Sequence, residues 1–208
     1  MNRLPHLRSW LRGLAGRGWR DDRAAQLVEF AVSLPLLVVF VVGIFDFSSA
    51  FTLKQKLTNI ARDAARVAAA DPANDLQSPS TAVPTSVADA FQDVDKYLVA
   101  NNINDCGITP SSSPVRLTWT STASGNGCTA PGLTLIINRG YYFPANSTTL
   151  ASVTCTSQPP GGQTAVIGTC VSIQYAYPWR FGKVASLLGR TASLPMQITA
   201  AAVAMNEN

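Results

Sequence analysis

The chain has 208 residues, 47% of them hydrophobic, and a net charge of +4 at pH 7. This length accommodates a membrane segment and one domain of about 140 residues, enough to bury a hydrophobic core. The charge does not indicate nucleic-acid binding, because six arginines lie within residues 1–23 and the rest of the chain is close to neutral. Such a basic cluster is typical of the cytoplasmic flank of a membrane helix.

Residues 1–23 are predicted to be a cytoplasmic basic arm or leader, whose glycines discourage regular structure. An apolar stretch follows from Ala24 to Phe45, in which Glu29 is the single charged residue. At about 1.5 Å per residue a helix of this length crosses a hydrocarbon core of roughly 30 Å. We therefore predict a transmembrane helix over 24–46, with the N-terminus in the cytoplasm and the later residues outside it. A cleavable secretory signal is disfavoured, since the apolar run exceeds the usual 7 to 15 residues and no small-x-small site ends it.

Residues 47–70 are predicted to extend this helix as an amphipathic segment, because no helix-breaking Gly or Pro interrupts it. Its charged side chains, Arg62, Asp63 and Arg66, are expected opposite the apolar face. Asp71 and Pro72 would end a rod of about 70 Å. One face contains Phe47, Ala50, Lys54, Leu57, Ala61, Ala64 and Ala68, joined by Phe51, Ile60 and Val67.

Residues 71–208 are predicted to form one extracytoplasmic head domain. A helix is expected from Ser86 to Val99, with Ser86 as N-cap and Asp89 at the capping-box position. A further short helix is expected over 180–188. Strand patterns occupy residues 115–121, 133–138, 164–177 and 197–204. The predicted fold class is therefore α+β and pilin-like: a long N-terminal helix packed on a mainly antiparallel sheet.

All four cysteines lie beyond the predicted span, where an oxidising compartment favours disulfides. Three pairings are possible. We favour one bond between Cys106 and Cys128 and another between Cys155 and Cys170, because each closes a short loop. Zinc binding is disfavoured, since no pair has the close spacing of a structural site.

The sequence predicts neither an enzyme nor a cofactor or metal site. The predicted outer domain lacks histidine, and its cysteines are expected to be oxidised, so the usual nucleophiles and bases are missing. Asp89, Asp93 and Asp95 form an acidic cluster on the predicted second helix. We interpret it as a solvated helix face rather than a calcium site, because an EF-type loop needs alternating oxygen ligands around a glycine.

Three stretches resemble the TadE-like family of pilus assembly proteins, the pseudopilins of the tight-adherence system. They are Leu27–Leu37 with its Glu-Phe pair and Leu-Pro step, Gly43–Phe47, and the Ala-Arg-Asp-Ala-Ala-Arg run of Ala61–Ala69. The closing pattern, Val171–Trp179 followed by Ile198–Glu207, is also similar to that of the family. The Cys-bearing middle of the chain has no such resemblance.

The resemblance implies roles for residues near the start of the span. A prepilin peptidase would cut between Ala24 and Ala25 and leave a free amine that pairs with the Glu29 carboxylate of a neighbour, next to Phe30. This chain has Ala24 where the family usually has glycine before the cut. The alternative is an uncut anchor in which Glu29 snorkels beside Arg23. Independently of the resemblance, Pro35 predicts a helix kink that neighbouring helices tolerate.

The implied function is a membrane-anchored pseudopilin-like component for assembling tight-adherence pili or an associated secretion machine. Its partners would be the bacterial inner membrane, other pilin-like subunits through the N-terminal helix, and a prepilin peptidase. The main alternative is a single-pass anchored binding or adhesion domain with no assembly role. A minor pseudopilin of a type II secretion machine shares the architecture, but its usual Gly-Phe-Thr junction is missing here.

Overall fold

The structure of the protein is a computed structural model, and it describes residues 22–76, 83–142, 154–155, 168–183 and 197–207. These residues fall into two compact units. The first unit contains the long helix up to Asp46 together with residues 180–183. The second contains the other described residues. The elements are α1 (Asp22–Ala70), a 3-10 turn (Ala73–Leu76), α2 (Thr85–Ala100), β1 (Thr118–Ala123), β2 (Leu133–Tyr141), β3 (Gly168–Ala176) and β4 (Gln197–Met205).

Helix α1 runs for 49 residues without interruption and begins two residues earlier than predicted. Its first part is apolar on all sides, and its large side chains are exposed. A helix that is hydrophobic all round requires an apolar surrounding. Among the described residues it is the one helix long and apolar enough to cross a membrane, with only 6% of its most apolar window buried.

The second part of α1 is amphipathic, as predicted. Leu57, Ile60 and the alanines that follow on the same face are buried, whereas Arg62 and Arg66 are exposed. The apolar face is narrower than predicted. Lys54 is exposed, and so are three large apolar members of the predicted face. They are Phe47, Phe51 and Val67, at 50%, 64% and 38% exposure.

The four strands form one antiparallel sheet in the order β1-β2-β3-β4, so the predicted α+β class is confirmed. One face of the sheet packs against the second part of α1 and against α2. The strands contribute alternate residues to this core, as expected for a sheet with one covered face. These residues are Trp119, Leu133, Leu135, Ile137, Val171, Ile173, Ile198, Ala200 and Ala202.

Two predicted strand ends differ from the structure by three residues. Strand β1 begins at Thr118 rather than at residue 115, because Val115 and Thr118 close a tight turn in which Arg116 has a φ of 57°. Strand β2 continues past Asn138 to Tyr141 through an irregular register. The expected strand residues 164–167 and helix residues 184–188 lie outside the described residues, although 181–183 are helical.

The predicted N-cap of the second helix is also wrong. Helix α2 begins at Thr85, and its N-cap is Pro84 with no side-chain cap bond. The carbonyl of Pro84 accepts hydrogen bonds from the backbone N–H groups of Val87 and Ala88, so Ser86 already lies inside the helix, where it is buried. The capping-box role expected for Asp89 is lost with it.

Candidate functional site

The residues predicted to act in processing and assembly lie near the start of α1. Ala24 is within the helix, and the side chains of Ala25, Glu29 and Phe30 are exposed. Ala25 and Glu29 are four residues apart and therefore lie on the same helix face. No described residue bonds to the Glu29 carboxylate. An acidic group in such an apolar stretch calls for a partner, so this face is the candidate assembly surface.

Pro35 lies inside α1, and the helix continues on both sides of it. Proline has no N–H, so the carbonyl of Ala31 loses its usual partner four residues on. Two residues before Pro35, the Ser33 hydroxyl donates to the carbonyl of Phe30 at 3.2 Å. The kink expected at Pro35 stays a prediction.

Asp46 makes the main polar contact of the first unit. Its side chain is only 4% exposed, and its Oδ2 atom accepts the backbone N–H groups of Arg180 at 2.9 Å and Phe181 at 2.8 Å. Amide donors of this kind compensate a buried carboxylate. One turn earlier, the ring of Phe181 covers Gly43, where an added Cβ would lie 3.1 Å from two ring carbons. Any other residue at position 43 would displace this ring.

Arg139 is the main polar group of the second unit and is fully buried. Its guanidinium donates to the carbonyl of Ala68 and, at 2.9 Å, to the carbonyl of Asp71. It also donates to Thr169 Oγ1 at 2.9 Å and to Asn206 Oδ1 at 3.1 Å. The positive charge therefore lies at the C-terminus of α1, where the helix dipole favours it.

The structure contains two disulfides, between Cys106 and Cys128 and between Cys155 and Cys170. This is the pairing that we favoured from the loop lengths. The first bond belongs to the core between the sheet and the helices. The second lies in a smaller cluster with Tyr141. The first bond joins two irregular segments to each other, whereas the second holds Cys155 against strand β3 through Cys170.

Charge repulsion and burial shift the pKa of three groups around α2. Burial, followed by the nearby carboxylate of Asp63, raises the pKa of Asp93. Burial, followed by Asp105, raises the pKa of Asp95, whose Oδ1 has no hydrogen-bond partner among the described residues. Burial also raises the pKa of Tyr175, although a backbone hydrogen bond from Asn104 opposes the shift. Within α2, the acidic side chains are thus not uniformly solvated.

The described residues do not assemble a catalytic or metal centre. No group of three His, Cys, Asp or Glu side chains in these segments is placed to hold a metal ion. A depression beside the end of α1 is lined by Ala70, Pro72, Ala73, Asn74 and Glu207. This depression contains one exposed carboxylate, that of Glu207, and no nucleophile. Its lining therefore lacks the pair of groups that general acid–base catalysis uses.

One comparison with known proteins finds a similarity for the N-terminal helix. Residues 24–66 match the sequence model of the family described as TadE-like protein. Segment 24–66 is thus similar to TadE-like proteins. The match lies entirely within α1. No curated protein and no solved structure matches the chain.

The TadE-like segment contains one contact that sequence reasoning passed over. Asp46 is the last residue of the predicted span 24–46, and a lone acid directly after an apolar run is a signal for a buried or bonded carboxylate. Arg139 lies outside the segment and was missed as well. The predicted strand 133–138 ends one residue before it, and no local pattern indicates a buried arginine there.

Proposed function

We propose that the protein is a membrane-anchored, pilin-like subunit that assembles through its N-terminal helix into a Tad pilus or its associated secretion machine. The observation that carries this proposal is the TadE-like match over a helix whose apolar half is exposed on all sides. A single-pass anchor is compatible with that helix. The orientation follows from the basic arm, which would stay in the cytoplasm.

Glu29 is the proposed assembly residue. Its carboxylate lies among exposed apolar side chains and has no bonding partner in the described part of this chain. The desolvation cost is offset when a neighbouring subunit supplies a positive group. The amine of Ala25, released by a prepilin peptidase that cuts after Ala24, is the group we propose, with Phe30 packing beside it.

The test compares Glu29→Ala with Gln26→Ala, a control that removes another exposed polar side chain one turn earlier. Both variants are expressed with the complete secretion system, and crosslinking to a tagged second copy is measured. We expect Glu29→Ala to lose at least about tenfold of the crosslinked species, the equivalent of 1.4 kcal/mol, at unchanged protein level. Equal crosslinking in both variants would favour an anchored domain without an assembly role.

Processing is tested separately by intact-mass and N-terminal analysis of protein from native membranes, with and without the prepilin peptidase. A chain that starts at Ala25 only when the peptidase is present supports the proposal. A chain that retains its arginine arm in both strains contradicts processing and leaves a permanently anchored subunit.

A further inference from the structure

Residues 180–183, which we name the interface segment, belong to the same compact unit as the apolar half of α1. They are attached at a defined level of the helix. The Asp46 carboxylate accepts two N–H groups from Arg180 and Phe181, and the Phe181 ring lies against Gly43 one turn earlier. The segment is therefore fixed to α1 around residues 43–46.

The position of Asp46 along α1 sets the depth of this attachment. The apolar stretch that begins at Ala24 and ends at Phe45 is about 33 Å long, close to the thickness of a hydrocarbon core. Asp46 follows directly after it. When the stretch spans a bilayer with Arg23 at the inner edge, the interface segment lies at the outer boundary between hydrocarbon and headgroups.

The side chains of the segment suit this boundary. Arg180 and Lys183 are exposed, and Phe181 is half-buried beside them. Cationic side chains bind lipid phosphates, while an aromatic ring favours the region beneath the headgroups. The two cations do not conflict with the positive-inside rule that places the basic arm in the cytoplasm. That rule concerns residues close in sequence to the span.

We infer that the interface segment is a second membrane contact, in which Arg180 and Lys183 bind phosphate headgroups of the outer surface while Asp46 holds the segment at that depth. This contact lies outside the assembly surface of Glu29. It requires that α1 spans a membrane, but it does not require assembly into a pilus.

The test places the photoreactive residue p-benzoylphenylalanine at one position of the full chain and identifies its adducts by mass spectrometry. The probe position is Lys183. Ile44, which is 69% exposed within the apolar half, is the positive control. Val67, about 30 Å further along the same helix than Asp46, is the negative control. The protein is reconstituted in phosphatidylcholine vesicles with about a quarter of phosphatidylglycerol, whose negative charge attracts basic side chains.

We expect lipid adducts at Lys183 in a yield close to that at Ile44 and well above that at Val67. Adding Asp46→Ala should reduce the lipid adducts at Lys183 and leave those at Ile44 unchanged. In a second arm the probe is placed at Gly182, and the adducts are compared with and without the substitutions Arg180→Gln and Lys183→Gln. Each cation removed should lower the enrichment of phosphatidylglycerol among the lipid adducts by about fivefold.

Two results would overturn the inference. The first is a lipid-adduct yield at Lys183 equal to that at Val67 while Ile44 still labels lipid, which would leave the membrane anchor intact. The second is a set of Lys183 adducts that are protein rather than lipid, which would make the segment a protein contact. An absence of lipid adducts at Ile44 would overturn the membrane anchor itself, and the inference with it.

Discussion

The guanidinium of Arg139 donates to the main-chain carbonyl of Ala68 in the last turn of α1, across 71 residues of sequence. A second bond reaches the carbonyl of Asp71, just beyond the helix. The last carbonyls of a helix have no intrahelical donor, and here a fully buried cation from strand β2 supplies one. The helix end and the sheet are therefore joined by charge-assisted hydrogen bonds rather than by apolar packing alone.

We expect Arg139→Ala to destabilise the protein by about 3–5 kcal/mol, because truncation leaves buried carbonyls and the Thr169 hydroxyl without their donor. Urea unfolding of the full chain in detergent, followed by near-ultraviolet circular dichroism, measures the loss. Arg66→Ala removes an exposed arginine of α1 and should change stability by less than about 0.5 kcal/mol. Equal midpoints for the two variants would contradict the role of Arg139.

Asp46→Ala should release the interface segment from α1, since it removes the acceptor of two hydrogen bonds. Trypsin cleaves after arginine and lysine, so cleavage after Arg180 and Lys183 reports this release. Loss of hydrogen bonds to a charged group should raise the open population at least about tenfold, and the cleavage rate with it. Asp63→Ala, a change at an exposed acid of the same helix, is the control. The same cleavage rate in both variants would refute the attachment.

Removing the first disulfide with Cys106→Ser and Cys128→Ser should cost about 3 kcal/mol, because its loop of 22 residues gains conformational freedom in the unfolded chain. Cys155→Ser with Cys170→Ser opens a loop of 15 residues and should cost a similar amount. Thermal unfolding of the full chain in detergent compares both with the wild type. A wild-type melting temperature in either double variant would show that its bond does not stabilise the fold.

Asp93 should make the protein less stable as the pH rises. Burial and the carboxylate of Asp63 raise its pKa in the folded state above the ordinary value of 3.8, while Lys96 opposes the shift. The folded state therefore favours the protonated form. The associated stability is fully present below the unfolded pKa and is lost as the pH rises through the raised pKa.

Asp93→Asn, which stays neutral, should therefore unfold at a higher urea concentration than the wild type at pH 7. This advantage should shrink as the pH is lowered towards 4. Asp89→Asn, at an exposed position of the same helix, is the control and should follow the wild type. An advantage of Asp93→Asn that does not change with pH would contradict an electrostatic origin.

The sequence predicted the elements with strong local patterns. The length and hydropathy of α1, the antiparallel sheet and the α+β class follow from periodicity and from the lack of helix breakers. The N-cap at Ser86 failed because the carbonyl of Pro84 begins the hydrogen-bonding pattern of α2 two residues earlier. Phe47 and Phe51 are exposed, although Ala65 and Ala69, five full turns further along the same helix, are buried. Periodicity gives the direction of a side chain but not how far along α1 the covered part extends.

The polar contacts were harder to predict. The roles of Glu29 and Phe30 stay a prediction, which rests on a charge in an apolar run that is visible in the sequence itself. The bonds of Asp46 and Arg139 join residues 134 and 71 positions apart, respectively, and no local pattern encodes such pairs. The burial of Arg139 is understandable only from its hydrogen-bond partners, which compensate the cost of removing its charge from water and lie far away in the sequence.

The hydrogen bonds at the end of α1 come from residues that are synthesised long after the helix itself. The helix is synthesised first, but Arg139 follows 71 residues after Ala68, and Asn206 another 67 residues later. The backbone N–H of Glu207 then donates to the carbonyl of Ala69 at 3.0 Å. The terminus of α1 therefore gains its full set of hydrogen bonds only after β4 has been synthesised.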